Sequence, residues 1–266
     1  MNGANGRLFV MRWAPSGPAI RSEILLIPPF GDEMNRSRRQ FALAGQAFAA
    51  HGCATSLLDL AGTGDSDGDF AEASCDRWID DIRHAVRALQ EKSRARLTLL
   101  GLRLGGLLAL GAAGGLDRPP DQIALWQPVV GGETFLTQIL RIRLAAALAG
   151  GGSGETTQTL RQRLAGGETL EIAGYPIAPA MAASLDRLRM AEPPSGSRIL
   201  WLEAGSEARD EIGPAGLRTV ERWRQSGHRV STATVSGAPF WTLMETETAP
   251  ALIEATIPFI AEPEPA

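Results

Sequence analysis

Apolar runs of strand length alternate with segments of helical period along most of the chain. Arg7–Trp13 (RLFVMRW) alternates enough for an edge strand, which Pro15, Gly17 and Pro18 break. Glu23–Ile27 (EILLI) has the continuous apolar character of a buried strand and stops at Pro28-Pro29. From about Asn35 to Ala50 the residues Phe41, Leu43, Ala44, Ala47 and Phe48 share one helical side, with Gly52 as the stop. Ala54–Leu60 is the next strand and runs into AGTGDSDGDF, a loop of glycine and short acids. Trp78, Ile79, Ile82, Val86 and Leu89 mark an amphipathic helix with Ser74 as its N-cap. The same reading predicts strands at Leu97–Leu100, Gln122–Trp126, Arg198–Glu203 and Arg229–Val235. It places a helix after the first of these, another at Pro214–Gln225 and a last one at roughly Thr246–Ile257. This alternation predicts a mostly parallel sheet with helices on both faces.

Between about Val129 and Glu192 the alternation stops. TFLTQILRIRLAAALA reads as a helix, GGGSGETT as a flexible break, and further helices follow at about Thr157–Leu164 and Ala180–Arg189, with GYPIAP between them. No strand is evident there. Long connections of this kind are uncommon and usually functional, so 129–192 is expected to be a helical lid inserted in a core of 1–128 and 193–266. The alternative is two ordinary connecting helices and a long loop.

Composition narrows the classes. The formal charge is −4 and no aromatic-basic stripe occurs, which argues against nucleic acid as a partner. No uninterrupted apolar stretch reaches the roughly 18 residues of a membrane span, and MNGANGRLFVMRWAPSG has no signal-peptide core. Cys53 and Cys75 are too few for a disulfide framework and lack metal-ligand spacing. A cytoplasmic protein without metal or cofactor is the expectation.

The candidate chemistry centres on Leu97–Ala113, LTLLGLRLGGLLALGAA. A strand, a Gly-x-x-x-Gly turn and an apolar helix form the nucleophile elbow of the α/β-hydrolase fold, where the turn reads G-x-S-x-G. Here it reads Gly101-Leu102-Arg103-Leu104-Gly105, with arginine at the tip. The glycines suit a strained tip and a close approach of strand and helix.

PPFGDEMNRSRRQF, DLAGTGDSDGDF, GLRLGG and GAPFW together resemble hydrolase 2 of the exosortase A system, an α/β-hydrolase-like family encoded beside bacterial exosortase and exopolysaccharide functions. The resemblance spans nearly the whole chain. It implies an α/β-hydrolase fold, and a hydrolase name that rests on fold similarity rather than chemistry.

A serine-type site needs a nucleophile, an acid and a base in that chain order, plus an oxyanion hole. The nucleophile position is Arg103, whose guanidinium stays protonated and cannot attack a carbonyl. The acid position matches Ala208; Glu207 and Asp210 nearby are either substitutes for it or, the favoured reading, solvated loop acids. The base position in Ser236–Trp241 matches Phe240. His51, His84 and His228 fall elsewhere and read as structural. Backbone N–H groups of Phe30 and Leu104 remain as oxyanion-hole candidates. Asp59 ends a strand and is expected to tie down the loop after it.

Two readings of Arg103 stay open. It converts the catalytic pocket into a site for a carboxylate, phosphate or acyl ligand, lined by Phe30, Asp32, Glu33, Leu104 and Phe240. Or it pairs internally with Asp32 or Glu33, expected in the loop beside the elbow, because a buried charge needs a partner. The two can coexist. Arg36, Arg38 and Arg39 add a basic cluster that reads either as pocket lining or as a solvated helix face.

The competing functional reading is an active hydrolase or acyltransferase on an ester, thioester or amide. Its nucleophile would be Ser37, Ser66 or a water held by Asp32 or Glu33 as general base. A purely structural interaction module with protein partners in the same pathway is a third.

Overall fold

The computed structural model describes residues 1–4, 6–17, 20–150, 154–207 and 211–261. Pro18, part of the GGGSGETT break, and the positions Ala208 and Asp210 lie outside them. The strands are β1 (Asn2–Gly3), β2 (Gly6–Arg7), β3 (Val10–Trp13), β4 (Ser22–Ile27), β5 (Cys53–Leu58), β6 (Arg96–Leu102), β7 (Gln122–Trp126), β8 (Leu170–Ile172), β9 (Tyr175–Ile177), β10 (Arg198–Gly205) and β11 (Arg229–Ser236). The helices are α1 (Gly31–Ala50), α2 (Cys75–Lys92), α3 (Leu104–Ala113), α4 (Gly132–Ala149), α5 (Thr157–Ala165), α6 (Pro179–Arg187), α7 (Pro214–Gln225) and α8 (Pro250–Ala261).

Seven strands form one sheet in the order β11-β10-β7-β6-β4-β5-β3. All neighbours are parallel except the edge strand β3, which runs antiparallel to β5. The central strands β4, β5 and β7 are buried at every residue, which is why their sequences are runs of apolar residues rather than alternations. Each face of the sheet carries its own core. Phe41 and Phe48 of α1 pack with Leu252, Ile253 and Phe259 of α8 on one face. On the other, Trp78 and Ile82 of α2, Leu107 and Leu108 of α3 and Trp223 of α7 share a core with Phe135 and Leu185. This is the α/β-hydrolase fold.

Three expectations change in ways that matter for the site. First, α1 begins at Gly31 rather than near Asn35, so Asp32 and Glu33 lie in its first turn and not in a loop. Carboxylates are favoured at that position by the exposed N–H groups of the helix start. Second, the segment between β7 and β10 is not purely helical. The short antiparallel hairpin β8–β9 sits between α5 and α6. Three-residue strands, one of them holding Pro176, carry too little alternation to be read. Third, the last helix starts at Pro250 instead of Thr246, proline's fixed φ suiting a first turn, and it runs on through Pro258 to Ala261 rather than stopping at Ile257. The RLFVMRW segment also divides, β2 pairing with β1 and β3 with β5.

Candidate functional site

The elbow is a tight turn at the carboxyl end of β6. Arg103 has φ 55° and ψ −118°, a conformation costly for any residue with a side chain. Its N–H donates to the Trp126 carbonyl (2.9 Å) and its own carbonyl accepts from Gly106 N–H (3.1 Å), which holds the strain in place. The flanking glycines are steric requirements. A Cβ at Gly105 would sit 2.1 Å from the Ile27 carbonyl oxygen, and one at Gly101 would sit 2.4 Å from Gly105 backbone atoms. Leu104 opens α3 and Phe30 caps α1, so both carry N–H groups at helix starts, where intrahelical acceptors are missing.

Arg103 is 9% exposed and its charge is met within the protein. Nε donates to both oxygens of Glu33 (3.2 and 3.4 Å), and Nη2 donates to Glu33 Oε1 (3.1 Å) and to Gln138 Oε1 of α4 (2.6 Å). The Trp241 ring lies 5.8 Å from the guanidinium carbon, within cation–π range. Burial pushes the Glu33 carboxyl above its ordinary 4.5, against the opposing pull of Arg103's charge and hydrogen bond, and Asp32 adds a smaller push upward. Asp32 itself pairs with Arg36 (2.7 Å), which also donates to the Leu243 carbonyl and, at 3.3 Å, to the Met244 sulfur. Of the two acids, Glu33 alone bonds the elbow arginine.

An apolar cleft opens above this pair. Its walls are Phe30, Phe135, Ile139, Ile142, Ile172 and Tyr175, and its polar lining is Asp32, Glu33 and Gln138. Thus α1, α4 and the β8–β9 hairpin enclose it. The hairpin is tied to α1 by Asn35 Nδ2 donating to Tyr175 Oη (2.7 Å), and Tyr175 packs edge-on against Phe70 at 5.3 Å. Gln138 and Tyr175 are site residues that sequence reasoning missed. Neither stands at a position of the fold's catalytic pattern, and Trp241 was passed over for its neighbour Phe240.

Other named residues lie elsewhere. Phe240 is fully buried in the core of the α1–α8 face, edge-on to Trp241 at 5.0 Å. Ser37 is buried and donates to the Glu33 carbonyl (2.6 Å). Ser66 Oγ donates to the Asp59 carbonyl (2.6 Å) and accepts from Phe9 N–H (2.8 Å). Neither serine lines the cleft. Asp59 accepts from Asp65 N–H (3.0 Å) and pairs with Arg38 (3.5 Å), anchoring the Gly-rich loop. Arg38 and Arg39 are exposed. His51 and His84 bond carbonyls of their own helices, and His228 bonds Glu192 (3.1 Å) at the amino end of β11, opposite the elbow. Glu207 is exposed. Glu203, buried at the end of β10, accepts from Gly213 N–H (2.8 Å) and Trp201 Nε1 (3.2 Å).

A parallel-centred sheet with a strained strand–helix elbow defines an α/β hydrolase by architecture. Residues 20–162 match the model of the serine aminopeptidase, S33, family, and the chain belongs to that family. Similar solved structures include a carboxyl esterase from Bacillus coagulans in complex with glycerol, with TM-score 0.65 and 14% identity, covering 98% of this chain and 96% of that one. Est1E from Butyrivibrio proteoclasticus, with ferulic acid bound, has TM-score 0.64 and 15% identity over 98% and 95% of the two chains. An alpha-beta serine hydrolase homologue from Coxiella burnetii has TM-score 0.54 and 17% identity over 98% and 93%. At these identities the likeness is one of fold. No curated protein matches the chain.

Proposed function

We propose that this protein is a binder of a small acyl ligand on an α/β-hydrolase scaffold, with the Ser-His-Asp triad replaced at Arg103, Ala208 and Phe240. The observation that carries this reading is Arg103 at the elbow tip, held by Glu33 and Gln138 beneath an apolar cleft. A guanidinium is no nucleophile, and all three histidines are engaged away from it. Among carboxylate, phosphate and acyl ligands, the aromatic and branched cleft lining favours an acyl body. Residues 129–192 act as the lid, since α4 and the hairpin supply most of the walls. The motif resemblance supports a role in an exosortase- and exopolysaccharide-associated system. Two free, buried cysteines, Cys53 and Cys75, favour a reducing, cytoplasmic setting.

A second reading has its own observation. Glu33 lines the cleft with a raised carboxyl, as a general base acting on water requires. Turnover of p-nitrophenyl butyrate by wild type and Glu33→Gln separates the two. The binding reading expects background rates in both and no fluorophosphonate labelling. It also expects short acyl ligands to raise Tm with concentration, following RT ln(1 + [L]/Kd). Turnover lost in Glu33→Gln would establish the hydrolytic reading instead.

A further inference from the structure

The floor of the cleft has a definite hydrogen-bonding character. Arg103 Nη2 is shared by Glu33 Oε1 and Gln138 Oε1, which places the two side chains next to each other, and both line the cleft. Because the Gln138 oxygen accepts from Arg103, its NH₂ group is the end left to donate elsewhere. Arg103 engages one edge of the Glu33 carboxylate, and a carboxylate has about four lone-pair directions, so Glu33 retains acceptor capacity toward the cleft. The arginine itself does not line the cleft; its charge is balanced from behind by Glu33. The neighbouring charges balance as well. Asp32 pairs with Arg36 on α1, α4 contributes only Gln138 and apolar residues, and β9 contributes Tyr175, whose hydroxyl accepts from Asn35.

Resting on the acyl-ligand reading above, we propose that this floor selects a neutral head group carrying a donor and a carbonyl acceptor side by side. An undissociated carboxylic acid and a primary amide share that chemistry. The ligand's O–H or N–H donates to Glu33, and its carbonyl accepts from the Gln138 NH₂, while the chain lies against Phe30, Phe135, Ile139 and Ile142. A carboxylate head meets the Glu33 carboxyl before it meets Arg103, and two carboxyls side by side bind only by sharing one proton. Glu33 and Gln138 are therefore specificity-determining residues, and Arg103 is the cation that opposes, through its charge and hydrogen bonds, the upward push burial gives the Glu33 carboxyl.

The test is calorimetric titration of octanoic acid, octanamide and octyl phosphate into the full chain between pH 6 and 8. Octanamide is expected to bind with an affinity independent of pH. Octanoic acid is expected to weaken as pH rises, approaching about tenfold per pH unit once both free carboxyls are ionised, because the bound pair holds one proton. Octyl phosphate is expected to bind least. In Glu33→Gln the unbalanced Arg103 should raise octanoate affinity at pH 8 at least about tenfold, since a charge-assisted bond replaces repulsion. Gln138→Leu keeps the Arg103–Glu33 pair and serves if Glu33→Gln does not fold. It should weaken octanoic acid and octanamide alike by about tenfold, the worth of one buried hydrogen bond. Octanoate and octanamide both binding with flat pH profiles, or octyl phosphate binding more tightly than octanamide, overturns the head-group inference while leaving acyl binding intact. No binding by any of the three overturns both.

Discussion

At the scale of single residues, the arginine at the elbow tip sets the electrostatics of its surroundings. The elbow needs a residue able to hold φ 55° at its tip, and Arg103 is held there by backbone bonds that any side chain would allow. Its guanidinium then demands a partner, and Glu33 supplies one at the cost of its own hydration. The raised Glu33 carboxyl has a stability consequence. Its protonated form is favoured in the fold relative to the unfolded chain, so its contribution is fully present below 4.5 and is lost as pH rises through the higher folded value. The stability of wild type relative to Glu33→Gln should therefore fall as pH rises upward from about 4.5. Urea unfolding of the two proteins at a series of pH values from 4 to 7 checks this; a constant difference would show that Glu33 titrates normally. The identity of the Arg103 partner was only half legible in the sequence. Asp32 and Glu33 are adjacent and alike on paper. The helix register of α1 turns one toward Arg36, four residues on, and the other toward the elbow.

At the scale of elements, the elbow and the α1 start behave as one unit. Gly105 lets α3 approach β4 so closely that a methyl group would overlap the Ile27 carbonyl. Gly105→Ala is expected to destabilise by about 1–3 kcal/mol, as overpacking of a rigid site does. It should also disturb the cleft, because Phe30 and Glu33 follow Ile27 by only three and six residues. Differential scanning calorimetry reads the first effect, and a Tm equal to wild type would mean the elbow relaxes without strain. The glycine spacing made this element readable directly, since the turn's steric demand leaves its mark on the sequence. The β8–β9 hairpin left none. Its strands are held by the Ala173–Gly174 turn, with φ 51° and 81°, and by tertiary contacts of Tyr175.

At the scale of the whole molecule, the last helix shows how far apart in sequence the fold's supports lie. Trp126 Nε1 donates to Thr256 Oγ1 (2.9 Å), Gln122 Nε2 donates to the Phe259 carbonyl (2.7 Å), and Gln40 exchanges two bonds with Ala249. Leu252, Ile253, Phe259 and Ile260 close the core on the α1 face. Each such side chain contributes about 1.5–3 kcal/mol on burial, and their sum rivals a domain's usual net stability of about 5–15 kcal/mol. A chain ending at residue 249 is therefore expected to lose its cooperative urea transition and its near-UV circular dichroism. A sharp transition near that of the full chain would show that the sheet stands without α8.

The sequence by itself determined the alternation of strands and helices, the parallel sheet, the elbow at Gly101–Gly105 and the exclusion of a serine at its tip. These follow from local constraints: periodicity, continuous burial and steric fit, each recorded within a few neighbouring residues. Tertiary structure alone decided that Glu33 rather than Asp32 meets Arg103, that Gln138 joins them from 35 residues away, and that a hairpin with Tyr175 closes the cleft. Those outcomes depend on distances between segments remote in sequence. They arise when packing brings helix starts, the inserted segment and the elbow to one edge of the sheet, where charges and polar groups must find partners or stay in water.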